Sequence, residues 1–166
     1  AGELDIVMCE DPGCPPPDEG DPRRVRLSLR PSGLDRALPH TEGVGWVRLR
    51  FRATAALASE EPAILITRPA DADEIHLNGI RIGGEGVVAE RFVTVPAGPR
   101  LVAVPHGAIR AGANTLSMKV LFAGKNAGAL DGPIYLGERD RLVARVTVEG
   151  RGRYGDGQRR ARRRRD

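Results

Sequence analysis

The fold of this chain is decided at residues 74–82, which read EIHLNGIRI. Ile75 and Leu77 alternate with polar neighbours, so that one face of a strand is apolar and the other is polar. Asn78 and Gly79 follow directly, and this pair supplies the two positive-φ residues that a tight type I′ turn requires. The apolar alternation resumes after the turn. The segment therefore predicts an antiparallel β-hairpin.

Similar β-type runs recur on both sides of the hairpin, separated by Pro, Gly or Asn, and no segment shows a sustained 3.6-residue apolar period. Residues 63–67, which read AILIT, form a continuous apolar run that predicts a central strand covered on both faces. The whole pattern predicts an all-β sandwich of about nine strands. Further strands are expected at residues 25–30, 47–52, 91–95, 100–104, 115–122, 133–136 and 142–148, with one short helical turn at 106–110.

Length and charge divide the chain into a body and two tails. The 166 residues suit one domain, and no stretch approaches the roughly 18 consecutive apolar residues of a membrane-spanning helix. Eight arginines and two aspartates give residues 150–166 a charge of +6, so the total of +4 leaves −2 for the remainder. We therefore expect a Pro/Gly-rich acidic leader over 1–23, a folded domain over 24–149 and an Arg-rich tail over 150–166, with both tails disordered.

Four pieces of the sequence stand in the order of a known family. Residues 71–83, DADEIHLNGIRIG, resemble the signature D-D-E-V-x-V-N-G-x-x-I-G of galactose-binding-like jelly rolls. Residues 43–51, 109–116 and 132–137 resemble three further motifs of that family. The resemblance implies a jelly-roll β-sandwich like the sugar-binding-fold domains of family 2 glycosidases, or like the periplasmic sensor domains of bacterial diguanylate cyclases and histidine kinases. Within these motifs Asn114 is expected to close a loop through its side chain.

The sequence favours binding over catalysis. Its three histidines, His40, His76 and His106, lie in unrelated contexts and no nucleophile-and-base signature accompanies them. With the family resemblance, we expect a non-catalytic ligand-binding or sensor module in the periplasm or outside the cell. It would belong to a signalling receptor that is tethered to the membrane at full length. The alternative is a structural accessory or protein-interaction jelly roll of a glycosidase or other multidomain protein.

One strand and several loops carry the candidate ligand-binding residues. Alternation places Trp46 on the same strand face as Arg48 and Arg50, where an indole beside guanidinium groups suits a carbohydrate or other small polar or anionic ligand. The alternative is a solvated or ion-paired arginine face with Trp46 capping the core. Loops at one end of the sandwich are expected to add polar contacts. The candidates are Trp46, Arg48, Arg50, Glu85, Lys125, Asn126, Asp131 and Tyr135.

Two residue pairs bear on metals and on the redox compartment. Asp71 and Asp73 are weak candidates for calcium ligands, because alternating oxygen donors in a loop suit a hard cation. The alternative is that they make side-chain-to-backbone turn bonds, and no other cofactor is expected. Cys9 and Cys14 flank a Pro-Gly turn and are either joined in a disulfide, as suits an exported protein, or free thiols.

The expected partner is a small polar ligand, a saccharide or a neighbouring protein domain. The arginine run at residues 160–165 adds a second kind of contact, because its charge would attract nucleic acid, heparin-like polymer or anionic lipid without specificity. The alternative is an unstructured, solvated tail.

Overall fold

The computed structural model describes residues 3–8, 13–16, 25–28, 43–67, 73–86, 98–122 and 133–146. These residues form nine strands and two helical segments. The helical segments are α1 (Ala55–Ser59) and α2 (residues 139–146). The strands are β1 (Glu3–Met8), β2 (Val25–Ser28), β3 (Gly43–Ala53), β4 (Pro62–Ile66), β5 (Asp73–Leu77), β6 (Ile80–Glu85), β7 (Arg100–Ala103), β8 (Gly112–Phe122) and β9 (Ile134–Glu138).

The described strands pair antiparallel throughout and build two sheets. The larger sheet has the order β2-β1-β3-β8-β5-β6, and the smaller has the order β7-β4-β9. From β3 onward the chain crosses repeatedly from one sheet to the other, so consecutive strands often lie in opposite layers. The predicted all-β jelly-roll sandwich is therefore confirmed.

The predicted hairpin is formed by β5 and β6. Asn78 has φ +51° and Gly79 has φ +83°, the two positive angles that a type I′ turn needs. Leu77 and Ile80, on either side of the turn, are register partners. The local sequence thus predicted this element correctly.

The main core lies between the two sheets, and a smaller cluster lies outside the small sheet. β4 is buried on both faces, as its continuous apolar run predicts, because its alternate residues enter the two clusters. Ala63 and Leu65 are covered from outside by Leu142 of α2. The main core is centred on the buried side chains of Val47, Ile64, Ile66, Ile75, Leu77, Leu116, Met118 and Val120.

The strand predicted at residues 142–148 is wrong over its described part, since residues 139–146 are helical. Leu142 and Val146 are one helical turn apart and both pack on the outer face of the small sheet. The apolar side chains of Ala63 and Leu65 lie on that face, and the apolar side of the helix shields them from water. The pattern of a short apolar run did not distinguish this helix from a strand.

The helical turn predicted at residues 106–110 is also wrong. Residues 106–109 form a turn and a bend, in which the Ala108 N–H donates to the Pro105 carbonyl at 3.0 Å. Gly107 has φ +77°, which is incompatible with a right-handed helix. The segment is therefore a tight connection from β7 to β8.

Two elements carried no sequence prediction. Thr54 caps α1, with its Oγ1 accepting a hydrogen bond from the Leu57 N–H at 3.2 Å. β1 lies between β2 and β3 in the large sheet, although residues 1–23 were expected to be a leader. The division of the chain at residues 24 and 150 stays a prediction. The expected strand at 91–95 and the tail at 150–166 lie outside the described residues.

Candidate functional site

Three charged side chains meet at the end of the sandwich where β5 begins, β6 ends and β7 begins. Asp73 and Glu85 are register partners in the large sheet, and Arg100 comes from the small sheet. The Arg100 Nε lies 3.5 Å from Asp73 Oδ2, and its Nη1 lies 3.2 Å from Glu85 Oε2. Nη1 also donates to the Gly98 carbonyl at 3.0 Å. We call Asp73, Glu85 and Arg100 the acid–arginine cluster; it links the two layers.

The members of the acid–arginine cluster differ sharply in exposure. The side chains of Asp73 and Arg100 are 3% and 4% exposed, whereas that of Glu85 is 55% exposed. Burial raises the pKa of Asp73 above its ordinary value, and the positive charge of Arg100 opposes that rise. Glu85 is therefore the member that is accessible to solvent, while the ionisable groups of Asp73 and Arg100 are buried.

The buried members have unused hydrogen-bonding capacity. Within the described part of the chain, the carboxylate oxygens of Asp73 and the Nε and Nη2 of Arg100 make no hydrogen bond of good geometry. The Glu85 backbone N–H and the Arg100 side chain nevertheless lower the pKa of Asp73 through weaker hydrogen bonds. Acceptors and donors thus stand side by side. These atoms are covered in this conformation, so the group of the cluster that a ligand hydroxyl can reach is the exposed carboxylate of Glu85.

The backbone shapes this end of the sandwich as well. Gly84 has φ +136°, and a Cβ at this position would collide with the carbonyl oxygen of Asp73. Gly83 is packed against Val102 of β7, where an added Cβ would meet a side-chain methyl at 2.8 Å. The two glycines allow β6 to approach β5 and β7 closely.

The predicted Trp46 platform is not exposed in the structure. Trp46, Arg48 and Arg50 do lie on the outer face of the large sheet, since Val47 between them points into the core. Trp46 is only 3% exposed, however, and its Nε1 donates to the Cys14 carbonyl at 3.2 Å. Because the indole is covered, it cannot stack on a sugar in this conformation.

Other polar side chains surround the covered indole. The Lys119 Nζ lies 5.9 Å from the Trp46 ring centroid, within cation–π range. The His76 ring meets the indole edge-on, with centroids 5.4 Å apart. Arg48 is buried and Arg50 is half-buried. The Trp46 face is consequently a packed surface rather than an open groove.

The predicted ligand-binding residues that the structure describes lie in separate places. Tyr135 packs on the outer face of the small sheet, under the guanidinium of Arg145 at 4.1 Å from its ring. Trp46 lies on the opposite outer face of the sandwich and Glu85 at its end, so these three are separated by the layers of the fold. Lys125, Asn126 and Asp131 lie outside the described residues.

The structure also bears on the expected calcium and cysteine chemistry. The cation beside Asp73 is the Arg100 guanidinium, which competes with a metal ion for the same carboxylate. No group of three or more potential metal ligands occurs among the described residues. Cys14 is disulfide-bonded. Cys9, the other cysteine of the sequence, and Asp71 lie outside the described residues.

Sequence reasoning missed Arg100, although a signal was present. Arg100, Val102 and Val104 alternate along one strand, so a strand with Val102 and Val104 facing inward also directs Arg100 inward. A buried arginine requires a carboxylate partner. The sequence could therefore have indicated an internal ion pair, but not which of the 22 acidic residues completes it.

The opposite end of the sandwich is closed by an amide clasp of Asn78 and Asn114. The predicted loop closure by Asn114 is confirmed: its Oδ1 accepts from the Arg110 N–H at 2.9 Å, and its Nδ2 donates to the carbonyls of Arg110 and Gly112. Asn78 Nδ2 donates to Asn114 Oδ1 and to the Ala108 carbonyl, both at 2.8 Å. These residues serve the fold, because their hydrogen bonds are made within it.

None of the helices in the described ranges is long and apolar enough to span a membrane. No protein-family model matches the chain, and no curated protein matches it in sequence.

Solved structures do match the fold. A rhamnosidase from Novosphingobium sp. PP1Y matches with a TM-score of 0.55 and 18% identity, over 81% of this chain and 14% of that one. A β-glucuronidase from Ruminococcus gnavus matches with a TM-score of 0.51 and 15% identity, over 72% of this chain and 20% of that one. The chain thus spans about a seventh of the first and a fifth of the second. Its fold is that of a β-sandwich occurring as a small part of glycosidases.

Proposed function

We propose that this chain is a non-catalytic accessory β-sandwich that binds a hydroxyl-rich ligand within a larger carbohydrate-active protein. The observation that carries the proposal is the pattern of coverage: most of this chain matches a segment that makes up only 14% of a rhamnosidase. Such a segment is far smaller than the enzyme to which it belongs. At 18% identity the match shows a similar fold, and the function needs a direct binding test.

The acid–arginine cluster is the proposed ligand site. It combines two carboxylates with one guanidinium, so its charge disfavours an anion and favours a neutral polyol such as a monosaccharide. Glu85 offers the solvent-facing acceptor, and the buried ion pair of Asp73 and Arg100 lies behind it and holds its carboxylate through Arg100 Nη1. Of the predicted ligand classes, the cluster therefore supports a small polar saccharide over an anionic one.

A panel of neutral monosaccharides and uronic acids, screened by thermal shift and then calorimetry, tests this proposal. Neutral sugars are expected to stabilise the protein, and Glu85→Gln is expected to weaken their binding because the amide is a poorer acceptor than a carboxylate. The matched control is Glu138→Gln, since Glu138 is similarly exposed at 57% and also pairs with an arginine, Arg141 at 2.8 Å. This control should bind as the unmodified chain does.

Two results would contradict the proposal. Equal weakening by Glu85→Gln and Glu138→Gln would remove the acid–arginine cluster as the site. Absence of any sugar binding, together with capture of a defined protein partner, would leave a protein-interaction role in its place.

The second candidate function is an extracytoplasmic sensor domain of a membrane receptor. It rests on residues 132–137, GPIYLG, which resemble the closing motif of that group. Pro133 immediately precedes β9, and the following residues of the motif belong to that strand. The Pro133 carbonyl accepts a hydrogen bond from Thr67 Oγ1 at 3.0 Å. A disulfide-bonded Cys14 supports an oxidising compartment, periplasmic or extracellular. The full-length gene product separates the candidates, since membrane helices with a signalling domain support the sensor and a barrel hydrolase supports the accessory role.

A further inference from the structure

The turn between β5 and β6 contains an Asn-Gly pair, the sequence in which asparagine deamidates most readily. Asparagine is a thermally labile residue, and a following glycine has no side chain to hinder attack by its backbone nitrogen. Gly79 is exposed, and a Cβ added there would meet no other described atom within 4 Å. Neither burial nor crowding at Gly79 therefore protects Asn78 from this reaction.

The reaction is a cyclisation followed by hydrolysis. The backbone nitrogen of Gly79 gives up its proton and attacks Cγ, the side-chain carbonyl carbon of Asn78. The N–Cγ bond forms, the Cγ–Nδ2 bond breaks, and Nδ2 takes up the proton and leaves as ammonia. Water then opens the succinimide at one of its two carbonyls, which leaves aspartate or isoaspartate in place of asparagine. Cγ must therefore reach the backbone nitrogen, and Nδ2 must be free to depart.

The amide clasp opposes both requirements. Asn78 Nδ2 donates to the Ala108 carbonyl and to Asn114 Oδ1, both at 2.8 Å. Asn78 Oδ1 accepts from the Thr115 N–H at 2.9 Å. These partners lie outside the turn, in β8 and in the connection that precedes it. Rotation of the side chain towards Gly79 pulls it away from these partners, and departure of ammonia breaks both hydrogen bonds of Nδ2.

The clasp cannot close in the same way on the product. In the aspartate form a carboxylate oxygen replaces Nδ2 and faces the Ala108 carbonyl and Asn114 Oδ1, which are both acceptors. Asn114 cannot exchange the two ends of its amide without loss, because its Oδ1 accepts from the Arg110 N–H and its Nδ2 donates to the carbonyls of Arg110 and Gly112. In the isoaspartate form the main chain gains a methylene inside the turn, which disturbs the register of the hairpin.

We propose that Asn78 is a modification site controlled by the fold: it is preserved while the amide clasp is closed, it deamidates when the chain unfolds, and the deamidated chain cannot rebuild the clasp. Unfolding that lasts long enough for the reaction thereby becomes irreversible. This inference is independent of the proposed ligand site.

The first test compares the native full chain with the same chain unfolded in guanidinium chloride, in one mildly alkaline buffer at one temperature. Mass spectrometry of proteolytic peptides distinguishes Asn78 from the other asparagines of the sequence, Asn114 and Asn126. Deamidation of Asn78 should be roughly a hundredfold slower in the native protein, because three neutral hydrogen bonds must open and each contributes about a factor of five. An equal or faster rate in the native protein overturns the proposal.

A pair of variants tests whether the clasp is the cause. Asn114→Ala removes one partner of Nδ2 and keeps the Asn-Gly pair, so it should raise the native rate severalfold. The matched control is Arg110→Ala, which removes an exposed side chain and retains the backbone groups that bond Asn114. It should react as slowly as the unmodified chain. If Asn114→Ala keeps the sheet signal in circular dichroism and reacts no faster than this control, the proposal is wrong.

The last test follows refolding. The unmodified chain is held unfolded until part of Asn78 has reacted and is then returned to native buffer, and size-exclusion chromatography separates folded from unfolded chains. The deamidated form should be depleted severalfold in the folded fraction. The same proportion of deamidated chain in both fractions overturns the proposal, because the clasp would then tolerate its product. The comparison of native with unfolded protein decides the matter even if Asn114→Ala does not fold.

Discussion

The two ends of the sandwich bury polar side chains in opposite ways. In the amide clasp, Asn78 and Asn114 bond to each other and to the backbone of the β7–β8 connection. In the acid–arginine cluster, Asp73 and Arg100 are buried and form an ion pair, but several of their atoms make no hydrogen bond of good geometry within the described part of the chain. A completed network explains its residues through folding alone. The cluster also carries an exposed carboxylate, that of Glu85, which is why the cluster, and not the clasp, is the candidate site.

The largest effect is expected from removing the buried cation. Arg100→Met leaves the Asp73 carboxylate buried without its charge partner, and the free energy of unfolding should fall by about 3–5 kcal/mol. Chemical denaturation measures the loss. The double variant Asp73→Leu/Arg100→Met removes both charges and should recover most of it. A double variant as unstable as the single one would show that the two residues do not act as a pair.

A smaller loss is expected at the amide clasp. Asn114→Ala removes the partner of several partly buried groups, including the Arg110 N–H and the Asn78 amide, and should cost about 1–3 kcal/mol. Asn114→Asp keeps the acceptor oxygen but loses the donor, so it should lie between Asn and Ala in thermal unfolding. If the Asp variant were no more stable than the Ala variant, the Oδ1 contacts would not be the stabilising ones.

Alanine substitutions at Gly79, in the turn, and at Gly84, in β6 beside the acid–arginine cluster, should destabilise the protein by different amounts, because only the second meets a steric obstacle. Gly79→Ala places a side chain at positive φ in open space and should cost about 1–2 kcal/mol, from the left-handed conformation alone. Gly84→Ala adds a collision with the Asp73 backbone and should cost more. Urea denaturation of both variants gives the comparison. Equal losses would mean that β6 moves away from β5 without penalty.

The smallest effect is a dependence of stability on pH. Because the folded-state pKa of Asp73 lies above its ordinary value of 3.8, the folded protein binds this proton more tightly than the unfolded chain does. The associated stability is complete below pH 3.8 and is lost as pH rises through the folded-state pKa. Asp73→Asn, which does not titrate, should flatten that decline in denaturation curves across the acidic range. An unchanged pH profile would assign the decline to other groups.

The sequence predicted the hairpin turn and the central strand correctly, because neighbouring residues decide both. Asn78 and Gly79 specify their turn through their own backbone preferences, and the apolar run at residues 63–67 specifies a strand that must be covered twice. At the site, the sequence placed Glu85 near a sandwich end and Trp46 on one face with Arg48. It did not indicate which of these residues meet.

Tertiary structure decided the features that depend on distant partners. The pairing of Asp73 with Arg100 joins strands of different sheets, and the indole N–H of Trp46 donates to a carbonyl 32 residues away. The helix at residues 139–146 replaced a predicted strand because the outer face of β4 needed an apolar cover. Local sequence patterns determine which face of a strand is apolar and where the backbone turns. What each face packs against depends on contacts that form only when the layers assemble, and these contacts determined which predicted residues are accessible.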